Sequence, residues 1–400
     1  MTPTAAQHAT YDVVIVGGAI IGSSIAWFLS DNPDFEGSVL VVERDPLYTN
    51  ASTSHTNSCM RQQFSQPLNI EISQFAAEFV RDFQESLHND PDVPVLAVNH
   101  FGYMYLASDE KFARTLRANQ MTQAAHGAGT TIMTAAEIAQ AYPFYNVDDI
   151  ICGSHNLIDE GYFDAGTMFD TWRNTARKNG VEFVAAEVTD MTVAHGRVTS
   201  ISLSSGQVIS CGAVVNASGP NCSAVAAMAG LDLPIEPRKR YTFVFDCAET
   251  LDRDVPLTID PSGVHVRSEG GAYMAGCAPD IDLAVDFDDF VMDPDIWEEK
   301  VWPALAHRIP AFERIKIQNR WAGHYAHNVL DHNVIVGPHT DVTNFFFANG
   351  FSGHGVQQSP AIGRGVAELI TYGEYRALDM SPLGYHRIAS GEPFIETAII

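Results

Sequence analysis

The run Val13-Val14-Ile15-Val16 followed at once by Gly17-Gly18-Ala19-Ile20-Ile21-Gly22 limits this chain more than any other feature. An unbroken apolar, mainly β-branched run reads as a strand buried on both faces. A glycine-rich turn that leaves it and opens an apolar-periodic helix, here around Ile25 to Leu29, is the dinucleotide fingerprint of a βαβ unit. Its glycines serve a tight turn, close approach of the backbone to a pyrophosphate, and close packing of helix on strand. The middle position holds Ala19, whose methyl group requires a negative φ. A second strand, Val39-Leu40-Val41-Val42, completes the unit and ends in Glu43, 21 positions after Gly22, with Arg44 next. A carboxylate there accepts hydrogen bonds from ribose hydroxyls and repels a 2′-phosphate.

Two later stretches have the same character. Val181 to Val188 leads through turns at His195-Gly196 and Ser205-Gly206 to the strand Ala213-Val214-Val215-Asn216, and Phe345-Phe346-Phe347-Ala348 runs into Gly350-Phe351-Ser352-Gly353-His354-Gly355 and then a helix over Ala361 to Ile370. Between them, short strands (Tyr103 to Leu106, Tyr241 to Asp246, Val264 to Arg267, Ala272 to Ala275) alternate with Pro- and Gly-rich turns. The expected fold is α/β (α+β overall), a Rossmann-type domain with an antiparallel-sheet substrate domain inserted into it. The nucleotide domain takes 1–90, 150–228 and 322–376, the substrate domain takes 91–149 and 229–321, and 377–400 is a C-terminal extension.

Composition excludes several classes. The chain is 46% hydrophobic and 18% charged over 400 residues, enough for a large core, and its net charge of -26 repels a phosphate backbone or an anionic membrane. Nucleic acid is therefore not an expected partner. No run approaches the roughly 20 apolar residues of a membrane span, and Met1 to Thr10 does not read as a signal peptide. The six cysteines form no CxxC pair, so a reducing cytoplasmic setting is expected. His324, His327 and His332 include an HxxH spacing without a fitting acidic ligand, and no metal is expected.

FAD and nicotinamide cofactors share the fingerprint, so the choice rests on the residues beyond Glu43. Ala51-Ser52-Thr53-Ser54-His55-Thr56-Asn57-Ser58-Cys59-Met60-Arg61 is small and hydroxyl-rich, suited to run along a pyrophosphate and ribityl chain. Together with Val14 to Glu43, Asp159-Glu160-Gly161-Tyr162-Phe163-Asp164, Val215-Asn216-Ala217-Ser218-Gly219-Pro220 and Gly350 to Gly355, it resembles the D-amino-acid oxidase superfamily of FAD-dependent oxidoreductases from residue 11 to about 372. Within that superfamily the look is nearest to the sarcosine and dimethylglycine oxidoreductases. Ala51-Ser52-Thr53 and Gln62-Gln63-Phe64-Ser65 are also similar to the FAD-dependent oxidoreductase-domain assembly factor of respiratory complex I.

The resemblance implies FAD as cofactor, held at Gly17, Ala19, Ile20, Ile21, Gly22, Glu43, Arg44, Ser52, Thr53, Ser54, His55, Val188, Ala217, Ser218, Gly219, Gly350, Gly353, His354, Gly355, Val356 and Gln357. The helix opened by Gly353 to Gly355 would place free N–H groups and a positive dipole end beneath the flavin pyrimidine. His55 aligns with a histidine that carries covalent FAD in dimethylglycine-type relatives. Gly323 stands where monomeric sarcosine oxidases use a flavin-linked cysteine, so a non-covalent flavin is expected. Met274 and Gln357 stand where those oxidases carry lysines, which implies an electron acceptor other than oxygen, of unknown identity.

For the reaction, no second dinucleotide fingerprint follows another strand, so the organic substrate itself reduces the flavin. Arg267 is the leading anchor for a substrate carboxylate, because a planar guanidinium binds two oxygens at once, with Arg61 and Arg240 as rivals. His55, His354, Tyr241, Tyr273 and Met274 complete the candidate catalytic set. The expected function is oxidation of the C–N bond of a small amine or amino acid. A 2-hydroxy-acid dehydrogenase and an FAD-retaining assembly or scaffold protein are the alternatives.

Overall fold

The computed structural model describes residues 4–397. The opening βαβ unit forms from Thr10–Val16, Ile20–Asp31 and Val39–Glu43. Its first strand pairs in parallel with Val39–Glu43 on one side and with Val208–Asn216 on the other. Glu182–Ala185 and Phe345–Asn349 add parallel strands beyond these, and Ile335–Pro338 closes one edge antiparallel. The antiparallel hairpin Val188–Ala194 and Arg197–Leu203 joins through Val208–Asn216.

Both faces of this sheet are covered, which explains why its strands read as continuous apolar runs. Helices Ile20–Asp31, Pro67–Arg81, Ala165–Lys178 and Gly355–Tyr372 pack on one face around Ile25, Trp27, Phe79, Trp172 and Ile362. The hairpin and Cys222–Met228 cover the other around Val14, Leu40, Ile201 and Phe345.

A second eight-stranded sheet has the order 315–328, 235–247, 272–277, 265–269, 257–259, 103–107, 152–156, 131–134. Only 257–259 against 103–107 is parallel. One face packs on the segment 297–312 through Phe243, Phe245, Tyr273, Trp297 and Phe312. Two strands depart from the expected partition: Cys152–Asn156 pairs in this sheet, although the sequence placed it with the nucleotide segments, and Ile315–Asn328 pairs along the whole of Ile235–Cys247. The reason is hydrogen bonding across sequence distance: Gly153, Ser154 and His155 find their partners on 103–107 and 131–134, which no local pattern reveals. The two sheets therefore exchange chain several times, and a cleft opens where they meet.

Candidate active site

The cleft begins at the carboxyl ends of the parallel strands, where Val16, Gly17, Val42, Glu43, Ala217 and Ala348 line it. This is the position at which open α/β sheets take ligands. Gly17 has φ +99°, and a Cβ there would lie 2.5 Å from the Ala217 carbonyl oxygen. Ala19 has φ −68°, so its methyl fits the turn. It is also the N-cap of helix Ile20–Asp31 and gives no side-chain cap; the Ile20 amide is taken by Thr53 Oγ1 at 3.3 Å, and the positive end of the helix faces the cleft. Gly22 does not line the cleft: a Cβ on it would sit 1.9 Å from the Gly17 carbonyl oxygen, so its task is packing. Glu43 accepts the Gly18 amide at 2.8 Å and the Asp45 amide at 2.8 Å. Burial raises its carboxyl above the usual range, against the pull of those two amides.

Ala186, Glu187, Val188, Ser218, Gly219 and Pro220 continue the wall on this side. Opposite them Arg44 lies over the Phe287 ring at 4.4 Å and pairs with Asp288 at 3.3 Å. Phe290 stacks between His55 and His324, with ring centroids 5.8 Å and 4.3 Å away. Lys239 meets Asp289 at 2.7 Å, and Arg240 meets Asp282 through two bonds of 2.9 Å. Residues 282–290 thus form a strap along the cleft, tied by ion pairs and ring contacts.

Within the 51–61 stretch, Ser52–His55 form a short 3-10 turn and Cys59–Met60 a short strand. Ser52 and Ser54 donate inward to the carbonyls of His324 and Tyr48, both at 2.7 Å, and Ser54 does not line the cleft. Thr53 lines it and accepts the Ile20 amide at 3.3 Å. Gly323 packs directly on this turn, since a Cβ there would lie 2.8 Å from the His55 Cβ.

At the far end the second glycine turn presents Gly353, His354, Gly355, Val356 and Gln357, with Gly350 set back against Ile235. Helix Gly355–Tyr372 also starts without a side-chain cap, so two uncapped helix N-termini face one cleft. Arg61 is buried, donates from Nη2 to His354 Nε2 at 2.9 Å, and lies over the Phe64 ring at 4.1 Å. A guanidinium only donates, so His354 Nε2 is the acceptor and the ring proton sits on Nδ1. Burial, then the neighbouring Arg61, holds His354 well below the ordinary histidine range, and burial lowers His55 as well. Both imidazoles are neutral near pH 7.

Tyr103, Tyr241, Thr242, Leu257, His265 and Tyr325 bring the second sheet to this end. Tyr103, Thr242, His265 and Tyr325 were not anticipated from sequence, nor was Asn57 Nδ2, which lies 2.9 Å from His265 Nε2. Arg267, Tyr273 and Met274 do not reach the lining. The Arg267 guanidinium pairs with Glu269, donates to the Asn57 carbonyl at 3.0 Å, and reaches Met274 Sδ at 3.5 Å. Tyr273 packs in the core against Phe245 and Phe312. The signal for Arg267 was in the sequence: His265, Arg267 and Glu269 alternate along one strand and therefore share a face. Among the described residues no group of three or more His, Cys, Asp or Glu is placed to hold a metal ion, and no helix is long and apolar enough to cross a membrane.

An open-ended cleft with a βαβ turn at one end, a second glycine turn at the other and an antiparallel sheet as its roof defines a two-sheet flavin dinucleotide fold. Family comparison agrees: a model described as FAD dependent oxidoreductase (DAO) matches residues 12–369, and the chain belongs to that family of FAD-dependent oxidoreductases. It is 39% identical over 424 residues to FAD-dependent oxidoreductase domain-containing protein 1 of Xenopus laevis, covering 97% of this chain and 85% of that one. Sarcosine oxidase subunit beta of Rhizobium meliloti (strain 1021) is 24% identical over 372 residues, covering 91% and 85%. The crystal structure of L-proline dehydrogenase from P. horikoshii superposes with a TM-score of 0.83 at 25% identity, covering 96% and 99%.

Proposed function

We propose that the protein oxidises the C–N bond of a small amine or amino acid that carries an anionic group. The observation that carries this reading is the Arg61–His354 pair at the flavin-side end of the cleft, a buried cation beside a neutral imidazole. Similarity to a sarcosine oxidase subunit and to L-proline dehydrogenase supports the same substrate class.

Gly17, Ala19, Glu43, Thr53, Val188, Ser218, Gly353 and Gln357 would hold FAD, which supplies acceptance of a hydride from the carbon next to nitrogen. The remaining work belongs to the chain. Arg61, held by the Gln63 carbonyl and His354, sets a buried positive charge that attracts and orients the anionic end of the substrate. His354, with its proton on Nδ1, adds polarity without a second positive charge. The strap 282–290 limits water on the cofactor side, which strengthens every charge interaction inside.

The acceptor for the electrons is proposed to be something other than oxygen. The first electron transfer to oxygen is favoured by a cation next to the reduced flavin. Gln357 carries no charge, Met274 does not reach the cleft, and His55 and His354 are neutral. Two cations reach that end, and both are engaged: Arg61 by the Gln63 carbonyl, His354 and the Phe64 ring, and Arg240, over the Tyr325 ring, by Asp282.

An anaerobic screen of purified holoprotein against sarcosine, dimethylglycine, L-proline, D-amino acids and 2-hydroxyglutarate decides between the readings. Bleaching of the flavin by an amine is expected, followed by slow reoxidation in air. Bleaching by the hydroxy acid alone would move the function to a 2-hydroxy-acid dehydrogenase. A flavin that no member of the panel bleaches would favour a scaffold that retains FAD.

A further inference from the structure

The segment 61–66 lies between strand Cys59–Met60 and helix Pro67–Arg81 and has no regular hydrogen bonding of its own. Its buried amides need other partners. Gln357 Oε1 accepts the Arg61 amide and the Gln62 carbonyl accepts the Phe64 amide, both at 2.8 Å, and two buried carboxylates take those of Gln62, Ser65 and Gln66. Glu160 accepts the Gln62 amide at 2.7 Å and the Gln63 side chain at 2.9 Å. Glu396, fully buried, accepts the Ser65 amide at 2.9 Å, the Ser65 hydroxyl at 2.6 Å, the Gln66 amide at 3.2 Å and Asn69 Nδ2 at 2.9 Å.

The second carboxylate comes from the other end of the chain. Its own segment is anchored: the Glu396 amide donates to the Asp331 carbonyl at 3.0 Å, the Phe394 amide to Asp331 Oδ2 at 3.0 Å, and Asp331 pairs with buried Arg387 at 2.6 Å. Helix Pro67–Arg81 has no side-chain cap from its own N-cap residue, so Glu396 also supplies the negative charge that its first turn favours. Ser65 is the neighbour of Phe64. The Phe64 ring carries the Arg61 guanidinium at 4.1 Å and meets the His354 ring edge to face at 5.1 Å. Gln357 holds the Arg61 amide, so where Ser65 is held sets where the Phe64 ring, and with it the Arg61 guanidinium, lies.

We propose that Glu396 is a positioning residue: the C-terminal segment 394–397 clamps the loop 61–66 and so keeps Arg61 against His354 at the cleft. The consequence for substrate rests on the reading of Arg61 as the anion-facing group, whereas the clamp itself does not. A chain region that looks like a trailing extension thus takes part in shaping the site.

The test uses holoprotein with Glu396→Ala, Glu396→Gln and Arg61→Ala. Amide hydrogen exchange over 61–69 reads the clamp, and the shift of flavin absorbance on adding propionate reads the anion site. Glu396→Ala is expected to raise exchange at 62–66 and to weaken propionate about tenfold, the scale of one charged hydrogen bond. FAD content should not change. Glu396→Gln, which keeps the shape and one acceptor oxygen, should fall between; it carries the test if the alanine variant does not fold. Exchange at 62–66 and propionate affinity both unchanged, with only a lower melting temperature, would overturn the proposal. If Arg61→Ala leaves propionate binding intact, the reading of Arg61 fails, and the exchange data still decide the clamp.

Discussion

The two ends of the cleft are built by different means. At the Gly17 end the polar groups are mostly main chain, and strand, turn, helix and acidic residue all fall within residues 10–43. At the Arg61 end the polar groups are largely side chains that arrive from 57–61, 103, 242, 265, 325 and 354–357, beside the amides that open helix Gly355–Tyr372. A backbone-built site depends on small residues and local dihedral angles. A side-chain-built site depends on buried networks in which each lost partner strands a donor or acceptor. The first end should thus fail by steric exclusion and the second by loss of alignment.

Gly22→Val gives the largest expected effect. Even the first added carbon falls 1.9 Å from the Gly17 carbonyl oxygen and 3.2 Å from Ile15 Cγ2, so the helix must leave the strand. The purified variant should carry almost no flavin, as read by absorbance per mole of protein. A normal FAD content would show that the turn tolerates bulk and would break the contrast at its backbone-built end.

At the other end, Arg61→Ala should lower kcat/KM for an anionic amine by roughly 100-fold, about 3 kcal/mol of lost charge-assisted contact, with Lys recovering only part. Arg267→Ala serves as its control. Because that guanidinium is spent on Glu269 and the Asn57 carbonyl, melting temperature should fall while kcat/KM of the folded enzyme holds. The reverse pattern would return the anchor to Arg267.

A third expectation concerns pH. Burial pushes His155, His265 and His327 down to about 4, so the fold keeps them neutral where an unfolded chain takes up protons. Their contribution is complete above the ordinary histidine range and is lost as pH falls through about 6.5 toward 4, up to about 3 kcal/mol for each. Glu160 runs the other way: burial raises it to about 7, so its contribution is present below the ordinary carboxyl range and declines as pH rises to neutrality. Urea unfolding at about pH 5 and about pH 7 should show a less stable protein at the lower value. His265→Gln should narrow that gap and Glu160→Gln should widen it. A Glu160→Gln profile parallel to wild type would mean the carboxylate does not titrate in this window.

The smallest effect falls on the strap. Phe290→Ala removes a ring stacked on His324 and His55 and should speed FAD release about fivefold, on the scale of one aromatic contact near 1 kcal/mol. Release is followed by the rise of free-flavin fluorescence after dilution. An unchanged rate would mean the ion pairs alone hold the strap.

Sequence legibility divides along the same line. The βαβ unit, the second glycine turn and the FAD family could be read because their requirements are local: an apolar run, residues able to take φ above zero, and a carboxylate at a set distance from the turn. Ala19 was readable on the same basis, since only the sign of φ was at issue. Arg267 does not line the cleft: alternation tells which face of the strand it joins, while Glu269 two residues on decides what occupies the guanidinium. Met274 lay beneath that same group rather than on the cleft.

What the chain by itself determined is therefore the cofactor half: the period of the apolar runs and the glycine positions dictate a dinucleotide turn whatever surrounds it. Only the tertiary structure decided the Arg61 end of the cleft. Glu160 and Glu396 meet one loop from 97 and 331 residues away, and Tyr103, Thr242, His265 and Tyr325 converge from separate strands of one sheet. The physical reason is that a buried polar group is defined by its partners, and these partners are brought together by sheet pairing and helix packing rather than by spacing along the chain.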